Sequence, residues 1–139
     1  MNEFKIMTVS ATGMSAQRLR LDVISTNIAN AETTRTERGE PYRRKIPVFS
    51  EYLRRAVDGK VESLGVRVVR IVEDQTPFRL VYDPTHPDAN EDGYVQMPNV
   101  NVLREMVDLM DAQRAYEANV AAFNVTKSIV NSALQIGRV

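Results

Sequence analysis

The sequence predicts an α+β fold that is mainly helical, in which long N- and C-terminal helices pair as a coiled-coil-like hairpin and flank a small β-rich middle segment. All six prolines lie between positions 41 and 98. Both ends of the chain carry apolar residues at seven-residue spacing, which is typical of helices that bury a narrow seam. We therefore divide the 139 residues into an N-terminal helix (1–31), a β-rich or irregular middle segment (32–99) and a C-terminal helix (100–139).

The N-terminal helix is predicted by apolar residues at every seventh position, with Ile24 beside them: Met7, Met14, Leu21 and Ile28. Gly13 is the only glycine in the first 31 residues. Residues 25–31 (Ser-Thr-Asn-Ile-Ala-Asn-Ala) are weak helix formers and need a packing partner to remain helical. We therefore expect a free chain to have partly disordered termini that order on assembly, which circular dichroism of the dilute monomer would test.

The middle segment is predicted to consist of short strands and loops. In chain order we expect a loop, an edge strand, a short helix, two further strands and an acidic loop, at residues 32–41, 42–49, 50–57, 65–72, 78–82 and 83–93. Pro47 restricts its strand to an edge, because proline cannot donate a ladder hydrogen bond. Phe78, Leu80 and Tyr82 alternate with Arg79 and Val81, which favours a half-buried strand.

The C-terminal helix shows a stronger version of the seven-residue pattern. Asn101 is a predicted N-cap, and Glu105 in the first turn is favoured by the helix dipole. One apolar line and a line adjacent to it follow: Leu109, Tyr116, Phe123 and Val130, then Met106, Val120 and Leu134.

The predicted length of this C-terminal helix is a further clue. It would run for roughly 50 Å, whereas a compact globule of this chain length is only about 35–40 Å across. Two paired helices still leave one side of each apolar seam exposed to solvent, so we expect neighbouring subunits to cover that side. A self-contained antiparallel coiled coil on a small β domain is the alternative.

Composition argues against several classes of function. Eighteen basic and eighteen acidic residues give a formal net charge of zero, which is atypical of a nucleic-acid-binding protein. The chain contains no cysteine, so disulfides and thiolate metal sites are excluded. We see no cleavable signal peptide in the first five residues and no run of ~20 apolar residues for direct membrane insertion.

Candidate chemical sites are few, and we predict no cofactor and no catalytic residue. The single histidine, His86, lacks a second histidine or cysteine with which to bind a transition metal, so we interpret it as a solvated loop residue. Asp88, Asn90, Asp92 and Gly93 match the opening of a calcium loop, but its twelfth position is Asn99 instead of glutamate. An acidic-loop calcium module is therefore an alternative of another class, and an enzyme is a third.

The basic run at residues 43–45 (Arg-Arg-Lys) is open to two interpretations. It could meet the acidic loop of another subunit and steer assembly. It could equally be an ordinary solvated edge of the molecule.

Several motifs, in order along the whole chain, resemble one known family. Residues 25–31 resemble the Asn-Ile-Ala-Asn-Ala signature that closes the N-terminal helix of the axial rod and hook proteins of the bacterial flagellum. Residues 105–108 (Glu-Met-Val-Asp) and 113–120 (Gln-Arg-Ala-Tyr-Glu-Ala-Asn-Val) resemble their C-terminal helix. Residues 81–89 and 98–102 look like the C-type proximal rod proteins within that family. A B-type or other axial subunit is the nearest alternative.

This resemblance implies a structural subunit that polymerises through its terminal helices into a hollow, torque-transmitting drive shaft. It implies a location in the basal-body rod across the periplasm, reached through the flagellar type III export apparatus without a cleaved signal peptide. The implied partners are copies of the chain, B-, F- and G-type rod subunits and the rod-base adaptor. We predict an assembly interface formed by the seam residues and two signature asparagines: Met7, Met14, Leu21, Ile24, Asn27, Ile28, Asn30, Met106, Leu109, Tyr116, Val120, Phe123, Val130 and Leu134.

Overall fold

A computed structural model describes residues 3–55 and 61–137. Within these ranges two helices enclose four strands in the order α1 (Glu3–Ala29), β1 (Lys45–Arg55), β2 (Val61–Glu73), β3 (Arg79–Tyr82), β4 (Tyr94–Met97) and α2 (Val102–Ile136). The predicted fold class, with long terminal helices around a small β-rich middle, is confirmed.

The two helices lie antiparallel, because residues early in α1 contact residues late in α2. Three pairs establish this direction: Gly13 with Asn119, Arg20 with Asp108, and Asn27 with Glu105. The predicted N-cap of α2 is also confirmed, since the side chain of Asn101 accepts a hydrogen bond of 3.1 Å from the amide of Arg104. This bond satisfies one of the amides that a helix start leaves unpaired.

The centre of the helix–helix seam is built mainly from small and polar side chains. The buried residues of the two helices are Ser10, Ala16, Val23, Ile24 and Asn27 on α1, and Glu105, Ala112 and Thr126 on α2. A Cβ atom on Gly13 would lie only 2.7 Å from Oδ1 of Asn119, so glycine is needed for the close approach here. The larger apolar side chains are consequently displaced to the flanks of the seam, where they are half-buried.

Strands β1 and β2 form a long antiparallel hairpin that packs against α1. Their register runs from Lys45 opposite Glu73 to Arg55 opposite Val61. The strand predicted at 42–49 is therefore confirmed over residues 45–49, and the strand predicted at 65–72 is confirmed over its whole length, since β2 spans Val61–Glu73. The helix expected at 50–57 is wrong over residues 50–55, where β1 continues because pairing with β2 outweighs weak local propensity; residues 56–57 lie outside the described part.

Strands β3 and β4 form a second, shorter antiparallel pair. Arg79 lies opposite Met97 and Tyr82 opposite Tyr94, whose rings pack edge to face with centroids 5.3 Å apart. The strand predicted at 78–82 is confirmed at Arg79–Tyr82, but the prediction that it is half-buried is wrong, because all four of its residues are exposed. Strand β4 was not predicted.

The described chain has little apolar core for its size. Its one cluster of buried apolar residues joins the end of α1 to the start of α2 through Ala31, Tyr42 and Val100. The accessible surface is 10011 Å², compared with about 7300 Å² for a compact monomer of this mass. Among the described residues, neither helix is long and apolar enough to cross a membrane.

Candidate assembly surface and buried polar junction

The residues predicted for assembly all lie on the two helices or just after α1, but their exposure differs. The seam residues of both helices are half-buried: Met7, Met14, Leu21, Ile28, Leu109, Tyr116, Val120, Phe123 and Val130. Ile24 and Asn27 are buried, and Asn30 is half-buried in the turn that follows α1. Met106 and Leu134 are 52% and 63% exposed. These half-buried side chains line one flank of the hairpin, which stays partly exposed to solvent when α1 pairs with α2. We call this surface the wet flank.

A second apolar face of α2 was missed by the sequence prediction. Its large side chains point away from α1 and are exposed: Leu103, Val107, Met110, Val125, Ile129 and Ile136. At 3.6 residues per turn they lie on the side of α2 opposite Glu105 and Ala112. The spacing of Leu103, Val107 and Met110 (i, i+4, i+7) carried this signal in the sequence.

The last turns of α2 extend beyond α1. The register of the helix pairs places Glu3 close to Thr126, so roughly ten residues of α2, or about 15 Å, project past this end. Ile129, Leu134 and Ile136 in this segment are more than half exposed. The projecting end therefore offers apolar surface that no described part of the chain covers.

At the opposite end of the hairpin, Asn27 joins α1 to β1 and α2. Its Nδ2 donates to the carbonyl of Lys45 at 2.9 Å and to Oε2 of Glu105 at 3.0 Å. Its Oδ1 accepts from the amide of Lys45 and from the hydroxyl of Tyr42, both at 2.9 Å. Asn27 is only 1% exposed, and these four bonds use its full hydrogen-bonding capacity.

Glu105 holds a fully buried carboxylate at the same place. Its Oε1 accepts a hydrogen bond of 2.6 Å from Nε of Arg44, and its Oε2 accepts from Asn27. The Arg44 guanidinium also faces the carboxylates of Asp74 and Asp108, at 3.8 and 3.5 Å. A charge that is 0% exposed is tolerated because it is both paired and hydrogen-bonded.

Asn99 ties the neighbouring loops into this cluster. Its Oδ1 accepts from the amide of Arg44 at 2.8 Å, and its Nδ2 donates to the carbonyl of Asp74 at 3.0 Å. The same Nδ2 reaches the hydroxyl of Thr76 at 2.9 Å. We call this set of side chains the polar junction: Asn27, Tyr42, Arg44, Asp74, Asn99 and Glu105.

Electrostatics within the polar junction shift two pKa values in opposite directions. Burial, followed by the nearby carboxylates of Glu105 and Glu73, raises the pKa of the Tyr42 hydroxyl above 10.0. Hydrogen bonds from the backbone and hydroxyl of Thr76, together with Arg44, lower the pKa of Asp74 below 3.8. Both shifts favour the protonation states that the hydrogen bonds of the junction require: a neutral phenol and a charged carboxylate.

Comparison with known proteins gives matches along almost the whole chain. The family profile described as "Flagella basal body rod protein" matches residues 7–35, and that described as "Flagellar basal body rod FlgEFG protein C-terminal" matches residues 91–136. The flagellar basal-body rod protein FlgC of Bacillus subtilis is 49% identical, over 99% of this chain and 100% of that protein. The proteins of the same name from Borreliella burgdorferi and Salmonella typhimurium are 45% and 40% identical, with at least 96% of each chain covered.

The chain belongs to the FlgC family of flagellar basal-body rod proteins. It is a structural subunit of the flagellar rod, as the resemblance of its terminal motifs predicted. The matches support none of the alternatives: neither another axial subunit nor a calcium module.

The structure shows how this FlgC-family chain uses its Asn-Ile-Ala-Asn-Ala signature. Asn27 supports the polar junction, whereas Asn30 stabilises the exit from α1. Nδ2 of Asn30 donates to the carbonyl of Thr26 at 2.9 Å, and its Oδ1 accepts from the hydroxyl of Thr33 at 3.2 Å. The two asparagines therefore shape the end of the helix from within the chain.

The acidic loop uses its side chains to form its own turns. Oδ1 of Asn90 accepts from the amides of Asp92 and Tyr94 at 3.1 and 2.8 Å. A carboxylate oxygen of Asp88 accepts from the hydroxyl of Thr34 at 2.8 Å. Asn99, the twelfth position of the calcium pattern, is engaged in the polar junction instead.

The basic run at 43–45 is directed largely into the chain. Arg44 is part of the polar junction, and the guanidinium of Arg43 lies 4.2 Å from the centre of the Phe78 ring. Nζ of Lys45 lies 5.6 Å from the centre of the Tyr42 ring. These contacts favour a role of the run in holding the middle segment against the helices.

Proposed function

We propose that this FlgC-family chain is a subunit of the proximal rod that polymerises through its terminal helices into a hollow, torque-transmitting shaft. Its partners in this proposal are copies of itself, B-, F- and G-type rod subunits and the rod-base adaptor. The flagellar type III apparatus would export it without removal of a signal peptide. The proposal assigns it no catalytic residue and no cofactor.

The observation that carries this proposal is the second apolar face of α2. Leu103 and Ile136, near the two ends of that face, are 74% and 77% exposed. Apolar surface of this extent is typical of protein interaction sites. Because α1 already occupies the opposite side of α2, further helices from neighbouring subunits are the natural cover for it.

The predicted seam residues belong to this proposal as the wet flank of the hairpin. Leu21 and Phe123 are half-buried along that flank. A neighbouring helix that packed there would complete their burial and would stiffen the wall, since protein interiors are densely packed and hardly compressible.

A complementation experiment tests the proposal. The full chain carrying an epitope tag within the exposed loop at 83–93 would be expressed in a strain of its own bacterium that lacks the gene. We expect swimming to be restored and the tag to be found in purified basal bodies. Mass spectrometry of that chain should show that it begins at its first or second residue, so that no signal peptide has been removed. A tagged chain that restores swimming but is absent from basal bodies would refute the proposal.

Substitutions along the wet flank test the part played by the helices. Leu21→Asp and Phe123→Asp should each abolish swimming while the protein is still produced, because they place an unpaired charge in an apolar seam. Asn124→Asp, which introduces the same charge at an exposed position of α2, is the matched control for a substitution on the helix surface. Normal swimming with both aspartate variants would contradict this role.

A further inference from the structure

A shallow apolar groove runs along the side of α1 that bears β2. Its volume is about 540 Å³, and its lining includes Thr8, Ala11, Ser15 and Leu19 from α1 and Val66 and Val68 from β2. The lining residues of α1 have mostly small side chains, so another helix in the groove could approach the α1 backbone closely. Residues 8–19 provide roughly 16 Å of helix, which is enough to receive three turns of another helix.

The second apolar face of α2 has the complementary shape. Val107 and Met110 project from it as large exposed side chains, and the small Ala118 and Ala121 follow about two to three turns after Met110. The groove lies on α1 beside β2, whereas this face points away from α1. The two surfaces of one chain therefore cannot meet each other.

Charges at the edges of the two surfaces are opposite in sign. Arg67 lies in the groove on the β2 side, and helical geometry places Arg18 beside Ser15 on the other side. On α2, an apolar line runs through Val107, Met110 and Ala118. Asp111 and Glu117 lie on opposite sides of this line, and Arg114 lies on the line itself.

Within the described ranges these edge residues make no ion pair. Arg67 donates to the hydroxyl of Ser50 at 3.3 Å, and Glu117 accepts from Nε2 of Gln113 at 3.1 Å. Arg18 and Asp111 are exposed. The cationic groove and the net acidic face of α2 are therefore both available for intermolecular pairing.

We propose that the groove between α1 and β2 receives the exposed face of α2 from a second copy of this chain, with Arg18 and Arg67 opposite Glu117 and Asp111. This inference rests on the proposed function and specifies the contact between adjacent copies in the rod. Because the two surfaces differ, the contact is heterologous and leaves one surface of each kind free at the ends of any row of subunits. A helix packed antiparallel to α1 brings the acidic flanks to the basic ones, as the hairpin itself does between Arg20 and Asp108.

Cross-linking tests the contact directly, because the chain contains no cysteine. The double variant Ser15→Cys with Ala118→Cys places one thiol on each surface, and both positions are exposed. Oxidised basal bodies should yield a ladder of disulfide-linked dimers and higher multimers, because each subunit can bond on both sides. The single variants should yield monomers, and so should the control pair Ser15→Cys with Lys127→Cys, whose second position lies on another face of α2.

Charge reversal provides an independent test in the cysteine-free chain. Asp111→Arg with Glu117→Arg should reduce swimming at least tenfold, and adding Arg18→Glu with Arg67→Glu should restore it. All four positions are exposed, so the monomer should retain its helicity by circular dichroism. Failure of the second pair to rescue a folded first pair would overturn the inference.

The outcomes separate this inference from the proposed function. If the double-cysteine chain is present in basal bodies but gives no ladder, the groove does not receive α2 of a second copy, and the proposed function stands. If its disulfide partner is a different protein, the choice of a second copy is overturned. If the chain is absent from basal bodies and the unmodified chain is absent as well, the proposed function itself fails.

Discussion

At the scale of single residues, the polar junction replaces the apolar contacts that usually hold helix ends together. The carboxylate of Glu105 has no exposed surface, and its partners are a guanidinium at 2.6 Å and an amide at 3.0 Å. Such groups contribute little net stability compared with apolar residues of the same size, but they allow only one arrangement of their partners. The junction therefore acts chiefly to fix how α1, β1 and α2 meet.

Removing the carboxylate of Glu105 should be costly. Glu105→Ala leaves Arg44 partly buried without its closest partner and Asn27 without one acceptor, so we expect a loss of roughly 3 kcal/mol in the free energy of unfolding. Glu105→Gln keeps the shape and one hydrogen bond and should cost about half as much. Urea denaturation of the purified chain measures both, with Glu117→Ala as a control on the exposed surface of the same helix.

The junction makes two outcomes of this experiment informative. A loss for Glu105→Ala no larger than that for Glu117→Ala would show that the buried pair is dispensable. A larger loss for Glu105→Gln than for Glu105→Ala would contradict the expectation that the shape and hydrogen bond retained by glutamine offset part of the loss.

The raised pKa of Tyr42 predicts a loss of stability at alkaline pH. A folded-state pKa above the unfolded value of 10.0 means that the stabilising effect is fully present below about pH 10 and is lost as the pH rises through the folded value. Tyr42→Phe should cost about 1 kcal/mol at pH 8 through the lost bond to Asn27. It should also lose less further stability than the unsubstituted chain between pH 9 and 11.

Urea denaturation at a series of pH values measures this difference. Tyr52→Phe, on the exposed part of β1, is the matched control and should retain the alkaline profile of the unsubstituted chain. Parallel profiles for Tyr42→Phe and the unsubstituted chain would contradict the prediction.

At the scale of elements, the sequence was sufficient to predict both helices and the N-cap of α2, because a seven-residue repeat over four or more turns has few alternative explanations. Of the buried residues of the two helices, its predicted interface included only Ile24 and Asn27. The repeat of Leu109, Tyr116 and Phe123 stands out by hydrophobicity, whereas Ala112 and Thr126 are buried because small side chains permit close approach. A hydrophobicity pattern cannot detect residues that are selected for their size.

The middle segment shows the limits of local sequence signals more clearly. Residues 50–55 are strand because they pair with β2, and that pairing depends on residues that lie later in the chain. Strand β4 is only four residues long and pairs with β3 across the acidic loop. The polar junction was equally inaccessible, since Arg44 and Glu105 are 61 residues apart.

The close approach of the helices predicts a coupling between Gly13 and Asn119. Gly13→Ala alone should gain little or lose stability, because the new Cβ would lie 2.7 Å from the Asn119 side chain. Combined with Asn119→Ala, the same change should stabilise α1 by up to about 1 kcal/mol, the usual preference of a helix for alanine over glycine. A double-mutant cycle from thermal unfolding measures the coupling, and additive effects would contradict it.

At the scale of the whole molecule, the chain is an open hairpin whose surface exceeds that of a compact monomer by more than a third. The hairpin has a firmly tied end at the polar junction and a projecting end formed by the last turns of α2. This asymmetry suits a subunit of a shaft. The polar junction fixes the geometry of each copy, and the projecting end offers exposed apolar surface to another copy. That the free chain has partly disordered termini stays a prediction, which circular dichroism of the dilute monomer would test.

The projecting end of α2 should contribute to assembly and hardly at all to folding. Substituting its three large apolar residues, Ile129→Ser with Leu134→Ser and Ile136→Ser, removes side chains that are each more than half exposed in the chain. We therefore expect the free energy of unfolding to change by no more than about 1 kcal/mol, as is usual for surface positions. Incorporation into basal bodies and swimming should be lost, because no described part of the chain covers these side chains and a neighbouring subunit can.

The matched control alters polar residues of the same segment, Asn131→Ser with Gln135→Ser, and should retain swimming. Thermal unfolding followed by circular dichroism, together with immunoblots of purified basal bodies, separates the two effects. A triple variant that unfolds well below the unsubstituted chain would show that this end belongs to the fold of the subunit. A triple variant that swims normally would show that contacts along the hairpin, and not those at its projecting end, join one subunit to the next.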